Sequence, residues 1–366
     1  MKVPFYDYTH TFLSHKQKIM EIFEDVSSRG AYIMQQELKD FETDLAAYTG
    51  ASFAVGVANA TDAMEMFLKA KGIGPGDDVL VCSHTMVATA SAIAMVGARP
   101  IPVEVHSDGL MDIEHAQSVL TAETKAIMPT QLNGRTMDMG PVIAFAEENE
   151  LMLFEDSAQG LGSKFEGRAA GTFGIAGCLS FYPAKTLGCF GDGGAILCSD
   201  ETLYEDLIMM RDHGRGADGN VHLWGRNSRL DNVQAAILHY FLKDFDEVVE
   251  RRRDIARQYE QKLGGCEGIV LPPSPDADDG HFDSFQNYEV LADKRDALKA
   301  HLADSNVGTI IQWGGRGLHH FEKLGMQADL PKTDDWFEKC LMLPMNMSVT
   351  DEQVEYVSNT ILAFYQ

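Results

Sequence analysis

The sequence predicts an α/β protein: a large region built on a mainly parallel sheet flanked by helices, followed by a smaller C-terminal α+β region. Three observations carry this. Short apolar runs alternate with segments of helical period from Ser52 to Arg211, the pattern of a doubly wound sheet. Two of those runs lead into an acid and a lysine, and ligands in open α/β sheets sit at such carboxyl ends. The chain has 366 residues and 45 % apolar content, enough for a large core and two packed regions. A charged helical segment, Phe245–Leu263, is the expected link, which divides the chain into 1–248 and 249–366.

Each element follows from local pattern. Ile19, Ile22, Phe23 and Val26 recur at helical spacing within Ser14–Ser28, and Arg29–Gly30 ends that segment. Glu37–Gly50 places Leu38, Phe41, Leu45 and Tyr48 on one face, with Gly50 as the stop. Ser52–Val57 reads as a strand, and Asn59–Met64 opens a helix whose free N–H groups at Ala60 and Thr61 would face an anion. The residues alone leave open whether Asn59 or Thr61 merely caps that helix. After the turn-rich Gly72–Val79 come a strand at Val79–Cys82, the stretch Ser83–Thr89, a helix at Ala88–Val96 and a strand at Arg99–Val105. Ala126–Met128 is the next strand, and Asp138 starts a helix through Asn149.

Beyond the middle of the chain the pattern continues. Strands are expected at Leu151–Phe154, Ile175–Phe181 and Ala195–Cys198, and a helix at Glu201–Arg211. Arg211–Gly216 begins a loop that runs to Ala236, where Asn227 could cap a helix starting near Arg229. The triplet Arg251–Arg253 lies among acids and is expected on a solvated face. Pro272–Gly280 is a candidate boundary loop. The remainder alternates strands at Tyr288–Leu291 and Thr309–Trp313 with helices at Lys294–Asp304 and Asp351–Phe364.

Composition excludes several classes. Lys plus Arg number 30 against 55 Asp plus Glu, and the net charge of −25 argues against nucleic acid or an anionic membrane surface as partner. The six cysteines show neither a CxxC pair nor metal spacing, so reduced thiols and no metal site are expected. No uncharged run approaches the ~20 residues that cross a bilayer, and the N-terminus lacks a signal-peptide core, so a cytoplasmic location is expected. No GxGxxG follows the first strand, which disfavours a dinucleotide-binding reading.

The chemistry concentrates between Phe154 and Leu197. One apolar run ends in Glu155 and Asp156, and a second is followed by Lys185 in a turn marked by Pro183 and Gly188. A lysine held in such a crevice is a candidate imine-forming nucleophile, because partial desolvation lowers its pKa and a neutral amine attacks carbonyls. Pyridoxal phosphate is the obvious carbonyl partner. That cofactor also needs a carboxylate at its pyridine nitrogen, and Asp156 is the candidate.

Asp-Ser-Ala-Gln at Asp156–Gln159, Ser-Phe-Tyr-Pro-Ala-Lys at Ser180–Lys185 and Gly-Asp-Gly-Gly-Ala at Gly191–Ala195 resemble the nucleotide-sugar aminotransferases of the DegT/DnrJ/StrS family. Matches in order run from about Tyr32 to Leu343. The resemblance implies the aspartate aminotransferase fold of type I, with a large domain on a mainly parallel, seven-stranded sheet and a smaller C-terminal α+β domain. It implies that Lys185 bonds pyridoxal phosphate and that Asp156 meets its ring nitrogen. It further implies Gln159 on the phenolic oxygen, and Ser180 with the amides of Ala60 and Thr61 on the phosphate. Asn227 would reach the phosphate of the partner subunit in a homodimer, and Arg229 would orient a substrate carboxylate. Family members carry an aromatic residue where Met86 stands, and its sulfur implies looser stacking on the ring.

The implied reaction is ping-pong amino transfer from L-glutamate to a nucleoside-diphosphate-linked 3-keto or 4-keto deoxysugar. Candidate substrate contacts are His84, Tyr182, Arg229, Trp313, Arg316, His319 and His320. His84 stands equally well as a satisfied loop histidine, and loops such as Gln312–His320 often carry unpaired His and Arg. Two alternatives remain beside amino transfer: dehydration of a sugar on the same cofactor, and a non-enzymatic metabolite sensor. Lys185 argues against the dehydratases that replace this lysine by histidine.

Overall fold

The computed structural model describes residues 1–278 and 280–366; position 279, within the loop expected at Pro272–Gly280, lies outside the described residues. The chain opens with α1 (Tyr8–Ser28), which starts ahead of the expected Ser14 because the Asp7 carboxylate caps it by accepting from the His10 N–H. Next is α2 (Gln36–Thr49), stopped by Gly50 in the left-handed conformation, φ 75°. The alternation predicted from periodicity follows, with one short helix as an addition to it: β1 (Phe53–Val57), α3 (Ala60–Ala70), β2 (Asp78–Cys82), α4 (Val87–Met95), β3 (Arg99–Val103), the added α5 (Ile113–Ser118) and β4 (Thr124–Met128). It continues with α6 (Met139–Glu148), β5 (Met152–Asp156), the small hairpin β6 (Lys164–Phe165) and β7 (Arg168–Ala169), β8 (Ala176–Ser180), β9 (Gly194–Cys198), α7 (Glu201–Met210) and α8 (Asn232–Leu242).

Seven strands form one sheet in the order β1-β9-β8-β5-β4-β2-β3. All neighbours are parallel except β9, which runs antiparallel to both β1 and β8. The sheet is therefore mainly parallel, with helices packed on it to form the core around Phe67, Val81, Met128 and Phe154. One consequence matters for function. The carboxyl ends of β1, β2, β4, β5 and β8 and the start of β9 all emerge at a single edge, so Ala60, Met86, Thr130, Asp156, Ser180 and Gly194 gather there although most lie far apart in sequence.

α9 (Phe245–Leu263) links the two regions. Its Phe245 and Val249 pack in the large-region core, whereas Ile255, Tyr259 and Leu263 pack in a second core. That core holds β10 (Ile269–Val270), β12 (Tyr288–Ala292), α10 (Arg295–Asp304), β13 (Cys340–Leu343) and α12 (Asp351–Tyr365), with β10-β12-β13 as an antiparallel sheet. Between them β11 (His281–Phe282) joins β6 of the large region, and α11 (Pro331–Lys339) precedes β13.

Several expectations are corrected here. The N-terminus was assigned to the large region, yet Val3 lies in the second core and pairs with Val307. Thr309–Trp313 is not a strand; only Ile310 bridges to Met342, and Gln312–Gly314 turns with Trp313 at φ 45°. The arginine triplet does not form a solvated face. Arg252 and Arg253 are buried, Arg252 reaching the carbonyls of Phe285, Gln286 and Met345 at 2.9–3.1 Å and Arg253 those of Asp283 and Pro275. Guanidinium donors satisfy main-chain acceptors at the joint between regions, and burial pushes Arg252 down to about 10. No helix among the described residues is long and apolar enough to cross a membrane.

Candidate active site

Asp156 ends β5 and Glu155 precedes it, so the pleat sends the two carboxylates to opposite faces of the sheet. Glu155 is wholly enclosed and accepts from Gln131 Nε2 and the N–H groups of Gly171, Phe173 and Gly174, at 2.6–3.1 Å. The turn that supplies these donors needs glycine: Gly171 has φ +87°, and a Cβ at Gly174 would lie 2.3 Å from the Leu153 carbonyl. Burial nonetheless pushes the Glu155 carboxyl up.

Asp156 faces the other way. Its Oδ1 accepts from the Ala158 N–H at 3.1 Å and the Cys178 thiol at 3.5 Å, and its Oδ2 accepts from Thr89 Oγ1 at 2.6 Å. Burial, with Asp156 beside it, holds the Cys178 thiol well above its ordinary range, so it stays a donor. Lys185 shares this environment. Its surface is open only in part, and its depth among protein atoms pushes the ammonium down to about 8, against the opposing pull of Asp156. A neutral amine is then accessible near neutral pH, which imine formation requires. The lysine turn is fixed from the second region: Gln286 Oε1 accepts from the Thr186 N–H, and its Nε2 donates to the Ala184 carbonyl, both at 2.8 Å.

The other predicted cofactor contacts lie at the same edge. Asn59 does cap α3, accepting from the Asp62 N–H at 2.8 Å, while the Ala60 and Thr61 N–H groups precede any partner in the helix. The methyl of Ala60 is tolerated because its φ is negative. β9 presses on this turn so closely that a Cβ at Gly194 would come within 2.7 Å of the Ala60 nitrogen. Ser180 ends β8, where its Oγ accepts from the Tyr182 N–H at 3.3 Å. Gln159 Oε1 accepts from the Asn133 N–H and from Asn287 Nδ2, which leaves its amide N–H groups as the free end. Met86 precedes α4 and is 53 % exposed.

Asn227 does not cap a helix. α8 starts later, at Asn232 after Asp231, while Asn227 bridges to Asp212 and is exposed; the adjacent Ser228 Oγ accepts from the Ala58 N–H beside the α3 turn. Arg229 is paired with Asp212 at 2.8 Å rather than free.

A cavity of about 640 Å³ opens over Lys185, lined among others by Tyr6, Tyr8, Tyr182, Arg252 and Asn346. Of the predicted substrate contacts only Tyr182 lines it. His84 is buried, its Nδ1 bonded to the Gly109 carbonyl and its Nε2 3.6 Å from Glu289, and it borders a separate cavity of about 240 Å³. Trp313 packs against His84, and Arg316 is exposed on the same loop.

His319 and His320 both bond Asp334 Oδ1, at 2.8 and 2.9 Å. The Gly317 N–H donates to His320 Nδ1, which leaves the proton on Nε2, so the trio is a hydrogen-bonded clasp, and His319 carries it to Ser83 of the large region. The sequence reading missed Thr89 on Asp156, Gln286 on the lysine turn and the N-terminal tyrosines. The four-residue spacing of Thr85 and Thr89 was the only available signal for the first.

Comparison with known proteins agrees with this geometry. A profile described as the DegT/DnrJ/EryC1/StrS aminotransferase family matches residues 14–362. The chain is 36 % identical over 350 residues to dTDP-3-amino-3,4,6-trideoxy-alpha-D-glucose transaminase of Streptomyces venezuelae, covering 94 % of this chain and 91 % of that protein. It is 35 % identical over 371 residues to a pleiotropic regulatory protein of Geobacillus stearothermophilus, covering 100 % of this chain and 99 % of the relative. Among solved structures, S. venezuelae DesV in complex with a ketimine intermediate superposes with a TM-score of 0.95 at 32 % identity, covering 100 % and 99 % of the two chains.

Proposed function

Because the chain belongs to the DegT/DnrJ/EryC1/StrS aminotransferase family of pyridoxal-phosphate-dependent enzymes, we propose that it transfers the amino group of L-glutamate to a nucleotide-linked keto-deoxysugar. The 3-keto form is the favoured acceptor, since two relatives are named for dTDP-linked 3-amino sugars and a third for a UDP-linked 3-dehydro sugar. The observation that carries the reading is the proximity of Lys185, its ammonium lowered to about 8 by burial, to the carboxylate of Asp156, which pulls the other way, with a cavity of about 640 Å³ opening over the lysine.

Bound pyridoxal phosphate supplies the aldehyde that carries nitrogen and the ring that withdraws electrons. The chain's own groups do the rest. Asp156 holds a proton on the ring nitrogen. Lys185 Nζ, as a free amine, would take a proton from the donor's Cα as general base and return one as general acid. The Ala60 and Thr61 N–H groups and Ser180 Oγ hold phosphate, the free amide end of Gln159 donates to the phenolic oxygen, and Met86 covers one ring face. Tyr182 lies where the sugar enters.

We place Asn227 of a second copy on the same phosphate, which makes the active unit a homodimer. The loop before it supports this, since Trp224 is 88 % exposed, with Val221 also exposed nearby, an arrangement expected of a covered surface. Six unpaired cysteines, five of them buried, support a reducing, cytoplasmic setting. The large region is taken as residues 1–248 and the smaller as 249–366, with the N-terminal strand-like segment crossing over to the latter.

The test is to incubate the purified protein with pyridoxal phosphate, L-glutamate and a panel of nucleotide-linked 3-keto and 4-keto sugars. An amino-sugar product by mass, with matching release of 2-oxoglutarate, is the expected result. Cofactor uptake with no 2-oxoglutarate from any sugar would remove transamination from this donor and return attention to dehydration or to ligand sensing.

A further inference from the structure

We propose that Thr89 is a positioning residue for the reaction, the last member of a one-way relay of hydroxyls, Thr130 to Thr85 to Thr89, that fixes the Asp156 carboxylate against the cofactor's ring nitrogen. The inference rests on the cofactor reading above and adds residues that neither the motifs nor the relatives' names assign.

The direction of the relay follows from counting hydrogens. A threonine hydroxyl has one proton to give. Thr89 Oγ1 lies 2.6 Å from Asp156 Oδ2, 2.9 Å from Thr85 Oγ1 and 3.1 Å from the Met86 carbonyl. The ionised carboxylate is the strongest and nearest acceptor, so Thr89 donates there. Thr85 must then donate to Thr89, and Thr130 Oγ1 donates to Thr85 Oγ1 at 2.9 Å. All three hydroxyl residues are buried, so no bulk water competes, and each donor polarises the next.

The three threonines come from three separate places at the sheet edge: the turn after β2, the first turn of α4 and the second residue after β4. Thr130 also bridges to Asp156 along the main chain, where the Gln131 N–H donates to the Asp156 carbonyl at 2.8 Å and the Asp156 N–H to that of Pro129 at 3.0 Å. The backbone of Asp156 is thus pinned by the same turn that starts the relay. With Oδ2 held by Thr89 and Oδ1 by the Ala158 N–H and Cys178, rotation of the carboxylate is restrained, and one in-plane lone pair, on Oδ2, is left to face a ring N–H. Lys185 and the Cys178 thiol are the other titratable groups facing this carboxylate.

The experiment compares wild type with T89V, T89S and T85V, using pyridoxal phosphate as the probe. The readouts are its dissociation constant, the pH titration of the bound cofactor's near-visible band, and thermal melting of the cofactor-free protein. T89V should bind roughly ten- to a hundredfold more weakly, the size of one hydrogen bond to a charged group, and its band should titrate at a displaced pH. T89S should keep most of the affinity and the wild-type titration, and T85V should fall between. T89V matching wild type in both readouts overturns the relay, as does T89S losing as much as T89V, which would make the methyl group the important part. Should T89V fail to fold, T85V decides: a wild-type titration in that variant overturns the relay. A wild-type protein that takes up no pyridoxal phosphate overturns the cofactor reading instead, and the relay with it.

Discussion

The two faces of the sheet at the end of β5 put the same chemical group to opposite uses. Glu155 is enclosed by four donors and ties the Gly171–Gly174 turn to the strand. Asp156, its immediate neighbour, is held by three donors and shares its environment with Lys185. Adjacent acids in a strand differ in face, and the face decides whether a carboxylate stabilises the fold or serves the chemistry.

Substitution should separate the two acids. Asp156→Asn should lower turnover by roughly a hundred- to a thousandfold, the scale for removing one preorganised electrostatic group, with little change in the melting of the cofactor-free protein. Glu155→Ala should do the reverse: it leaves buried donors without an acceptor and costs about 3–5 kcal/mol in denaturant unfolding, while any folded fraction keeps its turnover per bound cofactor. Equal losses of stability in the two variants would erase the distinction.

A smaller effect sharpens the Asp156 side. The Lys185 ammonium is lowered from the ordinary 10.5 to about 8, so the folded state loses this proton before the unfolded chain does. Between those two pH values the unfolded chain binds more protons, and stability from this group rises with pH there; below about 8 its full penalty is present. Lys185→Met should therefore stabilise the cofactor-free protein near neutral pH, by about 2–3 kcal/mol at most, and should flatten the rise above pH 8. A variant whose stability follows the wild-type pH curve would show that Lys185 is not desolvated.

The smallest effect concerns the exposed ring face. Met86→Phe should tighten pyridoxal phosphate binding by roughly two- to tenfold, as an aromatic pair adds about 0.5–1.5 kcal/mol beyond area, and fluorescence titration would measure it. Weaker binding by the phenylalanine variant would place Met86 away from the ring.

Much of this was legible in the sequence because it rests on local rules. Periods of two and 3.6 residues located the seven sheet strands and most helices of the large region, though not α5 or the β6–β7 hairpin, and Phe245–Leu263 matched to the residue. Thr309–Trp313 read as a strand because its β-branched residues fit that pattern, but glycines and the positive φ of Trp313 bend it into a turn. The arginine triplet misled for a different reason: charge pattern cannot reveal main-chain carbonyls waiting at a joint between two regions. His84, Trp313, Arg316, His319 and His320 read as site residues by type; in the structure His84 is buried against Trp313 and Glu289, His319 and His320 both bond Asp334, and Arg316 is exposed on the same loop.

The amino-acid order alone determined the alternating fold and marked Lys185, Asp156 and the turn at Ala60 as candidates, since each depends on residue type and near-neighbour spacing. Only the folded chain decided which acid faces the lysine, which cavity lies above it and which hydroxyls stand behind it. Those outcomes depend on the pleat, on strand order and on side chains brought together from three strand ends, and no local pattern encodes such long-range coincidence.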